Sequence, residues 1–594
     1  MRYLYLLLFA LTSAPLFAQG VQPELPRYMT AQEEALLWSQ PPAPVLATGF
    51  TNPPSEPVRH MGEWEELQAL IITWRSHPTI LTEIVRAARE ECRVIICCNT
   101  QTTVTSAQTT LTNAGVDISS NVEFVVVPND SIWVRDYGPN CVYANDVDSL
   151  YLVDWIYNRP NRKKDDTLAR TIAPYLNLPL FETVSSPTDL VNTGGNFMSD
   201  GMGTAFASEL ILEENEMGNP YNVSVKSEEQ IDDILYDFMG IQRYIKMPTL
   251  PYDAIHHIDM HMKLLDEETL LVGQYPQGIA DGPQIEANIQ YVLSNYNSVF
   301  GTPYRVIRIP MPPDYSNAYP NTNGDYRTYS NAVFVNKTVI VPFYEQEFDT
   351  TAQRIWEESM PGYNIVGIDC NAIIPSLGAI HCITKEIGVN DPLHIVHQRL
   401  SDVEDNNVSG YPVFARIQHR SGVSTAKVWY TTDLAQPWQS VDMAAIDFPN
   451  DDTAFVWATQ IPQQAAGSTV YYYIEANAVS GKTGVRPLPA PEGWWKFKIK
   501  AASSVSEAPN SLLLDIYPNP ARAITCIPVS AMSKTNGTII VRNTLGQAVE
   551  TVFEGQIPAG NSNYFLDAAT YTPGTYFVEL RAGDRVTVKK LIVR

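Results

Sequence analysis

Between residues 63 and 369, short apolar runs alternate with segments of helical spacing, and this alternation constrains the fold more than any other feature of the chain. Leu67–Trp74 is apolar almost throughout, 78–90 sets Ile80, Leu81, Ile84, Val85 and Ala88 at helical intervals, and Arg93–Cys98 is a second apolar run. The same alternation continues, with apolar runs at 122–127, 150–155, 305–309, 332–341 and 365–369 and helical patterns at 165–175, 227–239, 284–298 and 350–360. The pattern predicts an α/β fold, yet the glycine-rich phosphate loops of a doubly wound nucleotide fold are missing. A strand–helix unit repeated about five times is compatible with a radial arrangement.

After residue 397 the helical patterns stop. Short alternating runs at 413–418, 426–431, 454–459, 469–476 and 494–499, separated by turn residues, predict a β-sandwich over 397–500. A small, polar linker at 501–510 leads to a last β-rich block, 511–594, which ends in two alternating strands at 574–580 and 586–593. At the other end, Arg2, an apolar stretch over 4–11 and Ala18 fit a signal peptide at 1–18, too short to span a bilayer. Residues 19–55 are rich in proline and read as a leader or extended arm, which leaves 56–396 for a catalytic domain. The 594 residues carry a net charge of −25, which argues against a nucleic-acid partner and is compatible with a cationic one or with a solvated acidic surface. No other stretch is long and apolar enough for an integral membrane segment, so the chain reads as an exported soluble protein. Seven cysteines at wide, irregular spacing form neither a disulfide framework nor a zinc pattern.

Five polar stretches stand out in the alternating region. In Ser131-Ile132-Trp133-Val134-Arg135-Asp136-Tyr137-Gly138-Pro139, Asp136, read as following a strand end, could accept the forked hydrogen bonds of a guanidinium while Trp133 covers its stem; a structural Arg135–Asp136 network is the plain alternative. Asn192-Thr193-Gly194-Gly195-Asn196 allows close backbone approach. His256-His257-Ile258-Asp259-Met260-His261, read as a strand, sets His257, Asp259 and His261 on one face, suited to proton transfer and carboxylate binding or, alternatively, to metal ligation. Tyr329-Ser330-Asn331 opens an apolar strand. Finally, Ile380-His381-Cys382 supplies a thiol, which is the nucleophile only as thiolate and therefore needs cationic company; a buried structural cysteine is the alternative.

In order and spacing, these five motifs resemble the Porphyromonas-type peptidylarginine deiminases and, more distantly, the agmatine deiminases of the same guanidino-modifying superfamily. The resemblance implies a five-bladed α/β propeller (pentein) with the site on its axis. It also implies guanidinium binding by Asp136 and Asp259, general acid/base work by His257, positioning by Asn331 and nucleophilic attack by Cys382. Substrate binding is carried over to Trp133 and Arg159 as well. Arg159 matches one of two arginines that grip a C-terminal carboxylate in the family, whereas Asn161 stands where the second is expected and Arg162 is next to it. The implied reaction converts peptidyl-arginine to peptidyl-citrulline and ammonia through a cysteine amidino-thioether, with no metal or organic cofactor and no calcium requirement. Agmatine or free arginine as substrate, amidino transfer, dimethylarginine hydrolysis and an inactive secreted adhesin are the rival readings. Beyond the catalytic region, 397–500 resembles an immunoglobulin-like domain. Tyr517-Pro518-Asn519-Pro520 and Gly574-Thr575-Tyr576-Phe577-Val578 resemble a type IX secretion C-terminal sorting domain, implying that machinery as a partner and a secreted or surface-attached product.

Overall fold

The structure is a computed structural model that describes residues 24–403, 410–446, 455–500, 513, 516, 519–521, 524–531, 533–583 and 585–594. The expected signal peptide and the 501–510 linker lie outside the described residues. Two compact units are present, Met1–Ala501 and Ala502–Arg594.

The first unit is built from one supersecondary unit used repeatedly. An antiparallel strand pair is followed by a helix, and a third strand then returns parallel to the second of the pair. Asn140–Ala144 and Leu150–Tyr157 pair antiparallel, helix Leu168–Leu176 follows, and Leu180–Thr183 lies parallel. The same order holds for Met198–Ser199, Thr204–Ser208, helix Glu228–Met239 and Arg243–Met247. It recurs in Met262–Leu264, Thr269–Gln274, helix Gly282–Asn295 and Arg305–Pro310, and again in Val333–Val335, Thr338–Phe343, helix Gln346–Ser359 and Asn364–Asp369. The remaining copy is assembled from both ends of the region. Lys385–Gly388 pairs antiparallel with Leu67–Trp74, helix Pro78–Ala88 crosses over, and Arg93–Cys98 and Val122–Val126 add parallel strands.

Local chemistry explains these elements. Helix Glu228–Met239 starts at a Ser227–Gln230 capping box and stops at Gly240, whose φ of 71° suits a residue without Cβ. Helix Pro78–Ala88 begins on its proline and buries Ile80, Leu81, Ile84, Val85 and Ala88 against its sheet. Ala69, Leu70, Ile71 and Ile72 are fully buried along strand Leu67–Trp74, as expected where both faces of a sheet are covered.

Three expectations are corrected. The apolar run 332–341 is not one strand: Asn336, at φ 51°, and Lys337 turn it into the hairpin Val333–Val335/Thr338–Phe343. The 257–261 stretch is not a strand either; Ile258–Met260 is a 3-10 turn with His257 as its N-cap, so the face argument does not apply. Asp136 sits inside the helical turn Val134–Tyr137 and not at a strand end. Helix Gln101–Asn113, rich in threonine and weakly apolar, carries too faint a pattern to be read from sequence.

Strands within 410–446 and 455–498 join strand His394–Val396, with Gln439–Ala445 pairing to both Val423–Thr431 and Val456–Pro462. In the second unit, Thr535–Arg542, Ala548–Ile557, Gly574–Ala582 and Arg585–Val593 make one antiparallel sheet, so both closing strands occur as read.

The strand Lys385–Gly388 is fastened by more than its ladder. Arg135 donates in bidentate fashion to Glu386 at 2.9 and 2.6 Å, both side chains being buried. Burial raises the Glu386 carboxyl, but Arg135 and then Lys385 outweigh it and bring it to about 2. A depressed carboxyl contributes stability above its unfolded pKa, and that contribution is lost as pH falls toward the folded value. Glu386→Gln is therefore expected to lower unfolding free energy by about 3–5 kcal/mol at pH 7, read from urea midpoints, with the difference shrinking as pH falls from about 4.5 toward 2.

Candidate functional site

All five polar motifs occupy the same place in the repeat, immediately before the first strand of an antiparallel pair. Asp136 precedes Asn140–Ala144, Asn196 precedes Met198–Ser199, Asp259 precedes Met262–Leu264, Asn331 precedes Val333–Val335 and Cys382 precedes Lys385–Gly388. One backbone position repeated in every sheet thus delivers its side chains to one locus. Hydrogen bonds stitch the turns together: Arg135 Nε donates to the His381 carbonyl at 3.2 Å, and Asn331 Nδ2 to the Asp259 carbonyl at 3.2 Å. Asn331 Oδ1 in turn accepts from the His381 backbone N–H at 3.1 Å and lies 3.3 Å from Cys382 Sγ.

A guanidinium fills this locus, and it belongs to the chain itself. Arg27, from the arm preceding the repeats, is fully buried there. Asp136 takes one edge of the fork, with Nε to Oδ2 at 3.0 Å and Nη2 to Oδ1 at 2.8 Å. Asp259 takes the next edge, with Nη1 to Oδ1 and Nη2 to Oδ2 both at 3.1 Å. Two in-plane carboxylates leave the faces of the planar cation open, and Nη1 lies 2.6 Å from Cys382 Sγ. Gly194 and Gly195 are required by this packing. A Cβ on Gly194 would lie 2.0 Å from the Arg135 carbonyl, and one on Gly195 would lie 1.7 Å from Arg27 Nη2 and 2.6 Å from His257 Nδ1.

The electrostatics follow from burying opposite charges together. Burial would raise both Asp136 and Asp259, but the Arg27 guanidinium reverses this and holds each below the usual carboxylate range. Burial also pushes the Cys382 thiol up; the Arg27 guanidinium pulls it down, while Asp259 and Asp136 raise it further. His257 is lowered to about 3, first by burial and then by Arg27. With a guanidinium in place its imidazole is therefore neutral. Neither of its ring nitrogens has a hydrogen-bond partner among the described residues, and Nδ1 stands 3.7 Å from Asp136 Oδ1.

Other sequence-derived residues also meet the arm. The Trp133 indole N–H donates to the Leu25 carbonyl at 2.9 Å. Arg159 Nε donates to the Arg27 carbonyl at 3.2 Å, and the Arg27 backbone N–H donates to the Ser376 carbonyl at 2.9 Å. Arg162, expected to bear on the same contact only by compensation, donates to the next carbonyl, Tyr28, at 3.1 Å and pairs with Glu33 at 2.8 Å.

Sequence reasoning missed three participants. Arg27 lies in a proline-rich arm with no motif to mark it. His381 was visible only as the neighbour of Cys382; its Nδ1 meets Asp259 Oδ2 at 2.8 Å and its Nε2 meets Glu63 at 3.0 Å. Glu63, at the first residue of the alternating pattern, is tied to Lys263 at 2.5 Å. Burial raises its carboxyl, but His381, Lys263 and Arg135 together hold it well below its ordinary value. A chain of hydrogen bonds thus runs from Lys263 through Glu63, His381 and Asp259 to the bound guanidinium. The metal alternative gains no support from this arrangement, since Asp259 is engaged by Arg27 and His381, and no metal-binding cluster occurs among the described residues.

Residues 59–387 match the Porphyromonas-type peptidyl-arginine deiminase family, and residues 515–594 match the secretion system C-terminal sorting domain. A Yersinia pestis protein named as an agmatine deiminase is 28% identical over 306 residues, spanning 47% of this chain and 80% of that protein. A Mycoplasma mycoides protein of the same name is 24% identical over 300 residues, spanning 46% and 79%. Among solved structures, the agmatine deiminase of Enterococcus faecalis is 18% identical and aligns with 58% of this chain and 99% of its own, at a TM-score of 0.48. The C-terminal match marks a type IX sorting domain, and the protein is exported to the medium or the cell surface. No helix among the described residues is long and apolar enough to cross a membrane. The first of these matches spans more than half of the chain, which belongs to the Porphyromonas-type peptidyl-arginine deiminases, a family of guanidino-modifying hydrolases acting on amidine C–N bonds.

Proposed function

We propose that the protein is a secreted peptidyl-arginine deiminase that hydrolyses the guanidinium of arginine in peptides and proteins to a ureido group and ammonia. The observation that carries this reading is the peptide character of what the site holds. The occupant is an internal arginine whose amide N–H meets the Ser376 carbonyl and whose carbonyl meets Arg159. Agmatine has neither group, and binding it would leave the buried Arg159 Nε without this partner. An internal arginine in the site also argues that Arg159 reads a main-chain carbonyl and that a free C-terminal carboxylate is dispensable.

Asp136 and Asp259 hold the cation by two edges of its fork, with its Nη1 beside the Cys382 thiol. The neutral His257 takes the thiol proton as Sγ attacks Cζ, which gives a neutral tetrahedral adduct. His257 returns that proton to a terminal nitrogen, and ammonia leaves to form a cationic amidino-thioether. Water then adds with loss of a proton to the same imidazole, the C–S bond breaks, and the ureido product and thiol are released. Burial and the two carboxylates raise the thiol and the bound guanidinium offsets only part of that rise, so Cys382 enters the reaction as a thiol and gives up its proton as it attacks. Asn331 and His381 act as positioning residues, one on the Cys382 turn and the other on Asp259. The five ββαβ sheets, each with its polar turn at one end, support reading residues 56–396 as a five-bladed propeller. The strands within 397–500 we read as an immunoglobulin-like β-sandwich and 511–594 as the sorting domain.

Assays are best made in an Arg27→Ala background, in which the site is open. Cys382→Ala is expected to abolish ureido formation from arginine peptides. His257→Gln is expected to lower kcat by about 10²–10⁴-fold, and Gly195→Ala by at least about 10²-fold through displacement of the guanidinium. Arg159→Ala is expected to cost kcat/KM on peptides about 10–100-fold, the loss of one charge-assisted hydrogen bond, with little change on agmatine. Peptides with internal or amidated arginine are expected to turn over. Faster turnover of agmatine than of every peptide would overturn the peptidyl reading.

A further inference from the structure

The occupancy of the site by Arg27 places a guanidinium in hydrogen-bond contact with the Cys382 thiol. Both edges of its fork are held by the residues assigned to substrate binding, its Nη1 is 2.6 Å from Sγ, and its backbone is fixed on both sides by Ser376 and Arg159. The arm is anchored independently of this side chain. Thr30 and Glu33 form a capping box that starts helix Ala31–Ser39, Glu33 pairs with Arg162, and Leu37 is buried against Ile156, Val184, Val191 and Tyr221. Further along, the Phe50 backbone joins that of Phe181 by hydrogen bonds of 2.9 and 2.8 Å at Leu180 and Glu182. The guanidinium is thus delivered to the thiol by a tether that does not rely on its charge.

We infer that Arg27 is a modification site and the enzyme's own first substrate: Cys382 deiminates it in cis, and the product frees the site for other arginines. This rests on the deiminase reading above. The step consumes one water and releases one ammonia, as for any peptidyl arginine: Sγ bonds to Cζ, a C–N bond breaks with the proton carried by His257, and water replaces sulfur. Either terminal nitrogen, once exchanged for oxygen, presents an acceptor to a carboxylate oxygen of Asp259, because Nη1 faces Oδ1 and Nη2 faces Oδ2. The positive charge that balanced two buried carboxylates disappears in the same step. The ureido side chain is therefore a poor occupant, whereas the unreacted one is fully buried and blocks entry.

The test uses the full chain as wild type and as Cys382→Ala, with mass spectrometry of the peptide that contains residue 27, and Arg27→Ala as a folded reference for turnover of added arginine peptides. The expected result is citrulline at position 27 in the wild type and arginine in Cys382→Ala. Arginine should also persist in Cys382→Ala after incubation with active enzyme, because its own site shields it. Arginine retained at position 27 in wild-type protein, while Arg27→Ala turns over peptides, would overturn the inference and leave the deiminase reading standing. Citrulline appearing in Cys382→Ala only after mixing would overturn the cis step. Absence of turnover in Arg27→Ala would remove the deiminase reading itself, and this inference with it.

Discussion

A planar cation clamped between two buried carboxylates is the interaction on which the site depends. Asp136 and Asp259 are each about 1–2% exposed, an environment in which an isolated carboxylate gives up its charge by taking a proton. They remain ionised because a guanidinium satisfies both, so the empty site is electrostatically uncomfortable and selects for a forked cation. A lysine ammonium has the charge but not the geometry to meet two carboxylates edge on. The same field works against the nucleophile, since the carboxylates that bind substrate raise the thiol. The cation they bind offsets part of this rise.

The surrounding protein is arranged to hold that field still. Asp259 is buttressed by His381, His381 by Glu63 and Glu63 by Lys263, so the second carboxylate is oriented through three further buried groups. On the other side, Arg135 ties the helical turn bearing Asp136 to Glu386, on the strand that follows Cys382. Asp136, Asp259 and Cys382 each precede a strand of a different sheet, and these ion pairs fix their separation. Preorganisation of this kind is where such a site gains its rate, because little has to move as charge shifts from the guanidinium to the adduct.

The alternation of apolar runs and helical patterns was legible because each sheet buries both faces and each helix buries one. The polar motifs were legible because they interrupt that pattern at a fixed place, just before a strand. What remained hidden depends on distance in three dimensions. Glu63 and Lys263 are two hundred residues apart and carry no local signature of their pairing. His381 looked like an adjunct to Cys382, and only the fold turns its ring toward Asp259 and Glu63. The 257–261 stretch shows the limit of periodicity: the spacing of His257 and Asp259 fits a strand, yet the same two residues reach the site from a 3-10 turn. Arg27 was the least legible, an arginine beside a proline in an arm whose composition suggests only extended chain.

Acid quenching during turnover of an arginine peptide, followed by mass analysis of the proteolytic fragment carrying Cys382, tests the central claim most directly. The account predicts a transient species in which that fragment is heavier by the substrate peptide less ammonia, formed before the ureido product and absent when Cys382 is replaced. Ureido product accumulating at full rate from the Cys382→Ala protein, with no such adduct in the wild type, would contradict it.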